Sequence, residues 1–282
     1  MVELSTLPIA LRDATAALST VSQTPRLDAE FLAAFALQIP RLDMLMHAKD
    51  LTVPSGFADM IQRRLAHEPV AYITGSQAFW DIQLCVSPDV LIPRADSETL
   101  IEAAQAAFNG TAPPRRILDL GTGSGALLLA ALSLFPDATG IGVDASAAAL
   151  GVARYNAEQL GFANRVQMQQ RNWHEAGWAN GLVSQFDLIL CNPPYVETGA
   201  ALMPMVAMYE PHAALFAGAE GLDDYQILLP QISELLAPAG IAIFEIGHLQ
   251  AKSVGDLAYG AGLKSSLQYD LAGNPRCLTM RI

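Results

Sequence analysis

Apolar positions recur three and four residues apart over 7–18, from Pro25 to about Leu37, and over 57–67, predicting three helices in the first 75 residues. Thr24-Pro25 reads as an N-cap followed by proline at the first helical position. The period is lost over 78–86, where the content is strand-like, and Ser87-Pro88-Asp89 breaks the run, so a short β-hairpin is expected. Asp96 is expected to cap a helix reaching Phe108. From Arg115 onward short apolar runs alternate with helical patterns. Strands are expected at 117–120, 139–143, 166–169, 186–191 and 241–246, with helices at 126–135, 147–160, 222–236 and 250–259 and closing strands at 265–269 and 276–282. Such alternation implies an α/β fold, a mostly parallel sheet with helices on both faces. The expected organisation is a helical domain at 1–75, a hairpin linker at 76–92 and a Rossmann-like domain at 93–282.

The formal charge of -12 argues against a chain that grips a nucleic-acid backbone, and only Lys49, Lys252 and Lys264 are lysines. The first 75 residues carry six basic and eight acidic side chains, a net of -2, so -10 falls on the remainder. Cys85, Cys191 and Cys277 are scattered, and no paired-cysteine spacing suggests a metal or disulfide framework. The histidines are dispersed as well, so no metal is expected. No basic-then-apolar leader opens the chain, and the longest apolar run, 126–132, is far too short for a membrane span. A cytoplasmic protein without membrane contact, expected to be a monomer, fits this pattern.

Two constellations carry chemistry. Gly121-Thr122-Gly123-Ser124-Gly125 lies between an expected strand and helix, where glycines let a ligand approach the backbone. Alone it indicates a nucleotide-like cofactor and no more. Asp144 ends the next strand and is placed to accept ribose hydroxyls; a helix N-cap is its other reading. The second constellation is Asn192-Pro193-Pro194-Tyr195, after the fourth strand of the α/β region. Its prolines stiffen the turn and remove two N–H groups. The Asn192 side-chain oxygen and the Pro193 carbonyl can then accept both hydrogens of a planar NH2 group, with Tyr195 as a flat wall. The long connection 196–221, with Met203, Met205 and Met208, reads equally as a lid or as packing.

The tetrapeptide with the glycine turn resembles class I S-adenosylmethionine-dependent methyltransferases that modify planar nitrogens. The segments 68–75, Phe79-Trp80, 86–94, 209–215, Glu245-Ile246-Gly247 and 270–276 narrow the resemblance to the HemK/PrmC family, the glutamine N5-methyltransferases of peptide chain release factors. That resemblance implies a seven-stranded sheet with a small helical domain that docks substrate. It implies methyl transfer from S-adenosyl-L-methionine, leaving S-adenosyl-L-homocysteine, to the glutamine of a Gly-Gly-Gln motif. Gly121 to Gly125, Asp144, Trp173 and Asn192 would bind the cofactor, and Asn192, Pro193, Pro194 and Tyr195 would form the catalytic glutamine pocket. A release factor, which binds RNA, would meet an acidic enzyme favourably. The alternative substrates are a ribosomal protein glutamine or a nucleic-acid exocyclic amino group. Two positions depart from the family pattern: Ala95 stands where proline is frequent, and Asn172 where an acidic residue is common.

Overall fold

A computed structural model describes residues 6–182 and 185–282, which fall into two units. The first unit takes the described residues up to Ser76 together with Leu202–Tyr209. It contains α1 (Leu7–Leu18), α2 (Pro25–Leu37), α3 (Arg41–His47), α4 (Phe57–Leu65) and α5 (Val70–Thr74). Helices α3 and α5 have only 7 and 5 residues, too few turns for an apolar period to register. Leu7, Leu18, Leu32, Met44 and Phe57 form the core of this unit. Helix α2 starts where Pro25 predicts, but Thr24 does not cap a backbone N–H. Its hydroxyl donates to Asp28 Oδ1 at 3.0 Å, and Asp28 also accepts from Ser22 and from Arg64 Nε at 2.8 Å. The buried Asp28–Arg64 pair thereby ties α2 to α4.

The second unit takes Gln77–Ala201 and Glu210–Ile282. It opens with the hairpin β1 (Ser76–Phe79) and β2 (Ile82–Cys85). The hairpin is not a free linker: Phe79, Ile82 and Leu84 are buried in one core with Leu100 and Leu128. Helix α6 (Glu98–Phe108) follows a 3₁₀ turn at Ala95–Ser97. Asp96 does not cap it; it lies in that turn and pairs with Arg276 at 3.0 Å. The chain then alternates through β3 (Arg116–Leu120), α7 (Ala126–Leu134), β4 (Thr139–Asp144), α8 (Ala147–Gln159), β5 (Val166–Gln170) and β6 (Phe186–Cys191). The connection 196–221 contains α9 (Pro204–Tyr209), which belongs to the first unit, and a bridge between Val196 and Phe216. Met203 and Met208 are exposed, so neither is core packing. Then come α10 (Asp223–Leu235), β7 (Leu236–Glu245), α11 (Ala251–Gly260), β8 (Lys264–Tyr269) and β9 (Pro275–Arg281).

The seven-stranded sheet runs β5-β4-β3-β6-β7-β9-β8. Six strands run in one direction, and β9 enters antiparallel between β7 and β8. Side chains alternate between the faces as strand geometry requires. Leu188 and Leu190 of β6 join the core that holds α6, α7 and the hairpin, while Ile189 and Cys191 join the core that holds α10 and α11. Helix α7 is buried from Leu127 through Leu132 and lies so close to β4 that a Cβ on Gly140 would stand 2.4 Å from Leu128 Cδ1. This is the class I methyltransferase architecture, and the order reverses between β3 and β6, where open α/β sheets hold ligands. No helix among the described residues is long and apolar enough to cross a membrane.

Asn156 of α8, buried, links the hairpin to the glycine turn. Its Nδ2 donates to Cys85 O at 3.0 Å and to Ser124 O at 2.9 Å, and its Oδ1 accepts from Cys85 N at 2.7 Å. Replacing Asn156 with alanine strands those backbone groups, and the expected cost is about 2 kcal/mol or more of unfolding free energy, read by urea denaturation. An unchanged midpoint would show that the link carries no stability.

Candidate functional site

A cavity of about 560 Å³ opens at the carboxyl ends of β3, β4 and β6. Among the residues expected at the site, Gly121, Thr122, Gly123, Ser124, Asp144, Trp173, Asn192 and Pro194 line it. Gly125, Pro193 and Tyr195 do not. Gly125 is the residue before α7, packed against Leu129, and Tyr195 turns its hydroxyl into the sheet.

The glycine turn is pinned to β4. Gly121 N and Thr122 N both donate to Val143 O at 2.9 Å, and Gly123 N donates to Asp144 Oδ2 at 2.9 Å. Gly121 has φ +71, and a Cβ there would stand 3.1 Å from the Trp173 ring, so glycine is needed for both backbone and packing. Asp144 also accepts from Ser146 N at 2.9 Å. It is not the N-cap of α8: Ser146 is, with its Oγ accepting from Ala149 N at 3.1 Å. Burial raises the Asp144 carboxyl above its ordinary range, and bonds from the Ser146 and Gly123 N–H groups oppose that rise.

Asp119, at the inner end of the same cavity, is buried and carries no expectation from its sequence position. Thr122 Oγ1 donates to its Oδ2 at 2.6 Å, while Oδ1 has no hydrogen-bond partner among the described residues. Burial pushes this carboxyl up to about 7; the Thr122 bond and the nearby Leu128 backbone N–H oppose the rise and the charge of Asp144 adds to it. The preceding strand offers the only sequence signal, an acidic residue two before the first glycine.

Trp173 forms one wall, and its orientation is fixed by Asp224 at the start of α10. The indole Nε1 donates to Asp224 Oδ1 at 2.5 Å, and His174 Nε2 lies 3.1 Å from the same oxygen. Asn172 also lines the cavity, but its Oδ1 accepts from His174 N at 3.0 Å and so shapes the local turn.

Asn192 follows β6. Its Nδ2 donates to Ser97 Oγ at 3.3 Å, Ser97 Oγ donates to Glu245 Oε2 at 2.5 Å, and the Tyr195 hydroxyl donates to Glu245 Oε1 at 3.1 Å. Burial, followed by the Glu245 charge, raises the Tyr195 phenol well above its ordinary range. Two segments noted in the sequence for their family likeness reach the same cavity: Val90 and Pro93 from one, Pro211 and Ala213 from the other. They are joined by the Arg94–Glu210 ion pair.

Residues 10–75 match the PrmC N-terminal domain family, and residues 113–260 match a methyltransferase domain family. The chain is 41% identical over 265 residues to the release factor glutamine methyltransferase of Rhodospirillum rubrum, covering 92% of this chain and 79% of that protein. It is 40% identical over 267 residues to the protein of the same name from Bradyrhizobium diazoefficiens, covering 90% of this chain and 87% of that one. Among solved structures, the hMettl16 catalytic domain in complex with the MAT2A 3'UTR hairpin 6 shares the fold, with a TM-score of 0.54 at 13% identity over 72% of this chain and 76% of that one. With relatives this similar along nearly its whole length, the chain belongs to the release factor glutamine methyltransferase family.

Proposed function

We propose that the protein transfers a methyl group from S-adenosyl-L-methionine to the side-chain amide nitrogen, N5, of the glutamine in the Gly-Gly-Gln motif of peptide chain release factors. The observation that carries this reading is Asn192: it lines the cavity with its nitrogen already committed to Ser97, leaving its oxygen as an acceptor for an NH2 group. The printed names of the relatives supply the substrate.

The residues present fit the cofactor. The unpartnered, buried Asp119 Oδ1 offers a carboxylate oxygen to a positively charged ligand, Trp173 offers a flat wall, and Asp144 keeps lone pairs for hydroxyl groups beside its two backbone bonds. S-adenosyl-L-methionine supplies an electrophilic methyl on a cationic sulfur, so the donor brings its own activation. The protein must hold the acceptor nitrogen. A glutamine amide is a weak nucleophile because its lone pair is delocalised into the carbonyl. Of the two acceptors expected from the sequence only Asn192 lines the cavity: its Oδ1 accepts an amide hydrogen, orients the lone pair toward the methyl and stabilises positive charge as it grows on nitrogen, and the surplus N–H proton then passes to solvent. The helical unit supports a protein substrate: Phe31, Phe35, Leu42 and Met46 of α2 and α3 are exposed and available as docking surface.

Incubation with labelled S-adenosyl-L-methionine and purified release factors is expected to place one methyl on the glutamine of that loop, located by mass spectrometry. Transfer to ribosomal proteins or RNA instead would overturn the substrate reading. Asn192→Ala is expected to reduce turnover by roughly a hundredfold while changing cofactor affinity far less, as loss of a transition-state acceptor predicts.

Asp119 gives a pH test. Its folded carboxyl is raised to about 7. Its unfolded value is about 3.9, so the folded chain holds the proton more tightly and this residue's contribution to stability is lost as pH rises from about 4 through 7. Asp119→Asn is therefore expected to raise the melting temperature at pH 8 by several degrees and to change it little at pH 4, while weakening cofactor binding measured by calorimetry. Equal shifts at both pH values would show that the buried carboxyl is not strained by its charge.

A further inference from the structure

Two side chains back Asn192, one lining the cavity and one at the end of a strand, and the reaction as derived above gives neither a part. Ser97 precedes α6 and Glu245 ends β7; both are buried, 148 residues apart in the chain. A serine hydroxyl has one hydrogen, and an ionised carboxylate can only accept. Ser97 spends its hydrogen on Glu245 at 2.5 Å, so its oxygen faces Asn192 purely as an acceptor. Asn192 must then present its NH2 to Ser97, and Nδ2 lies there at 3.3 Å. Turning the amide over would set two acceptor oxygens face to face.

The second carboxylate oxygen of Glu245 is fixed as well, by the Tyr195 hydroxyl at 3.1 Å. Its backbone carbonyl accepts from Tyr225 at 2.7 Å. The other titratable neighbours are Arg276, Asp96, Cys277, Cys191 and the Tyr225 phenol, with Cys277 opposite Glu245 in the β7–β9 register. Burial raises the Glu245 carboxyl, and the bonds from Ser97 and Tyr195 and the charge of Arg276 draw it back toward the ionised form. Both oxygens of Glu245 already accept, from Ser97 and from Tyr195, so Glu245 closes this chain of donors as its acceptor end.

We propose that Glu245 and Ser97 are positioning residues that lock the Asn192 side-chain amide with its oxygen, never its nitrogen, toward the substrate. The inference rests on the reading of Asn192 as acceptor for a substrate amide and deepens it, because the locked polarity also sets specificity. A glutamine side chain brings an N–H donor to that oxygen. A glutamate carboxylate brings only lone pairs and is repelled.

The test uses the full-length protein and the variants Ser97→Ala, Ser97→Thr and Glu245→Gln. Four quantities are read: kcat and KM for methyl transfer to a release factor, S-adenosyl-L-methionine affinity by calorimetry, melting temperature, and the nitrogen-15 NMR signals of the Asn192 side-chain NH2, assigned by their absence in Asn192→Ala. Ser97→Ala and Glu245→Gln are expected to lower kcat roughly tenfold or more, with cofactor affinity within about twofold, and to move the Asn192 NH2 signals. Ser97→Thr, which keeps the hydroxyl, is expected to restore the signals and most of kcat. The proposal is overturned if kcat in Ser97→Ala stays within about twofold of wild type, or if the NH2 signals do not move. It is equally overturned if kcat, cofactor affinity and melting temperature all fall together, as for a purely structural pair. Should Glu245→Gln fail to fold, the smaller change Ser97→Ala decides. A wild-type enzyme that methylates no release factor defeats the functional reading instead, and the NMR signals alone then decide the lock.

Discussion

A carboxylate taken out of water must find hydrogen-bond donors or give up its charge, and this chain buries three at the carboxyl ends of its strands or beside them. Asp119, Asp224 and Glu245 are each at most 3% exposed. Each is answered by side chains that also shape the cavity: Thr122 for Asp119, Trp173 and His174 for Asp224, Ser97 and Tyr195 for Glu245. The requirement to satisfy buried charge therefore does much of the work of assembling the site. The glycine turn, the indole wall and the tetrapeptide are each held by an acid that would be unstable without them.

The same economy joins distant parts of the second unit. The hairpin supplies Phe79 and Leu84 to the core against α6 and α7, and Asn156 binds its backbone to the glycine turn. Arg276 on β9 pairs with Asp96 beside Ser97 and with Asp270, which in turn accepts from the backbone N–H groups of Ala272 and Asn274. The closing hairpin of the sheet is thus tied to the turn that carries Ser97. Asp96 is exposed, so its pair with Arg276 adds little net attraction and matters as a tie between the two segments.

What could be read from the sequence was local. Short apolar runs alternating with helical stretches gave the parallel sheet, and a glycine turn between a strand and a helix gave the cavity floor. Asn192-Pro193-Pro194-Tyr195 marked the opposite rim, although only Asn192 and Pro194 line the cavity. What escaped was relational. Asp224 has no local pattern that separates it from a surface acid, and although Glu245 lies in a segment of family likeness, its role and that of Ser97 exist only because the fold brings partners together across 148 residues, as 51 separate Trp173 from Asp224. Helix caps depart from local chemistry for the same reason. Thr24 and Asp96 have the right chemistry for helix starts, but Asp28 and Arg276 compete for them. Helices α3, α5 and α9 were too short to show a period.

The pinning of the glycine turn to β4 has an electrostatic consequence. In turns that hold a pyrophosphate, free backbone N–H groups point at the anion. Here the N–H groups of Gly121, Thr122, Gly123 and Gly125 are all spent inside the protein, on Val143, Asp144 and Thr122. Asp119 and Asp144, which line the cavity beside the turn, are acids. With those four N–H groups spent and two acids at the cavity, the turn is built against an anion at Gly121 to Gly123 rather than for one.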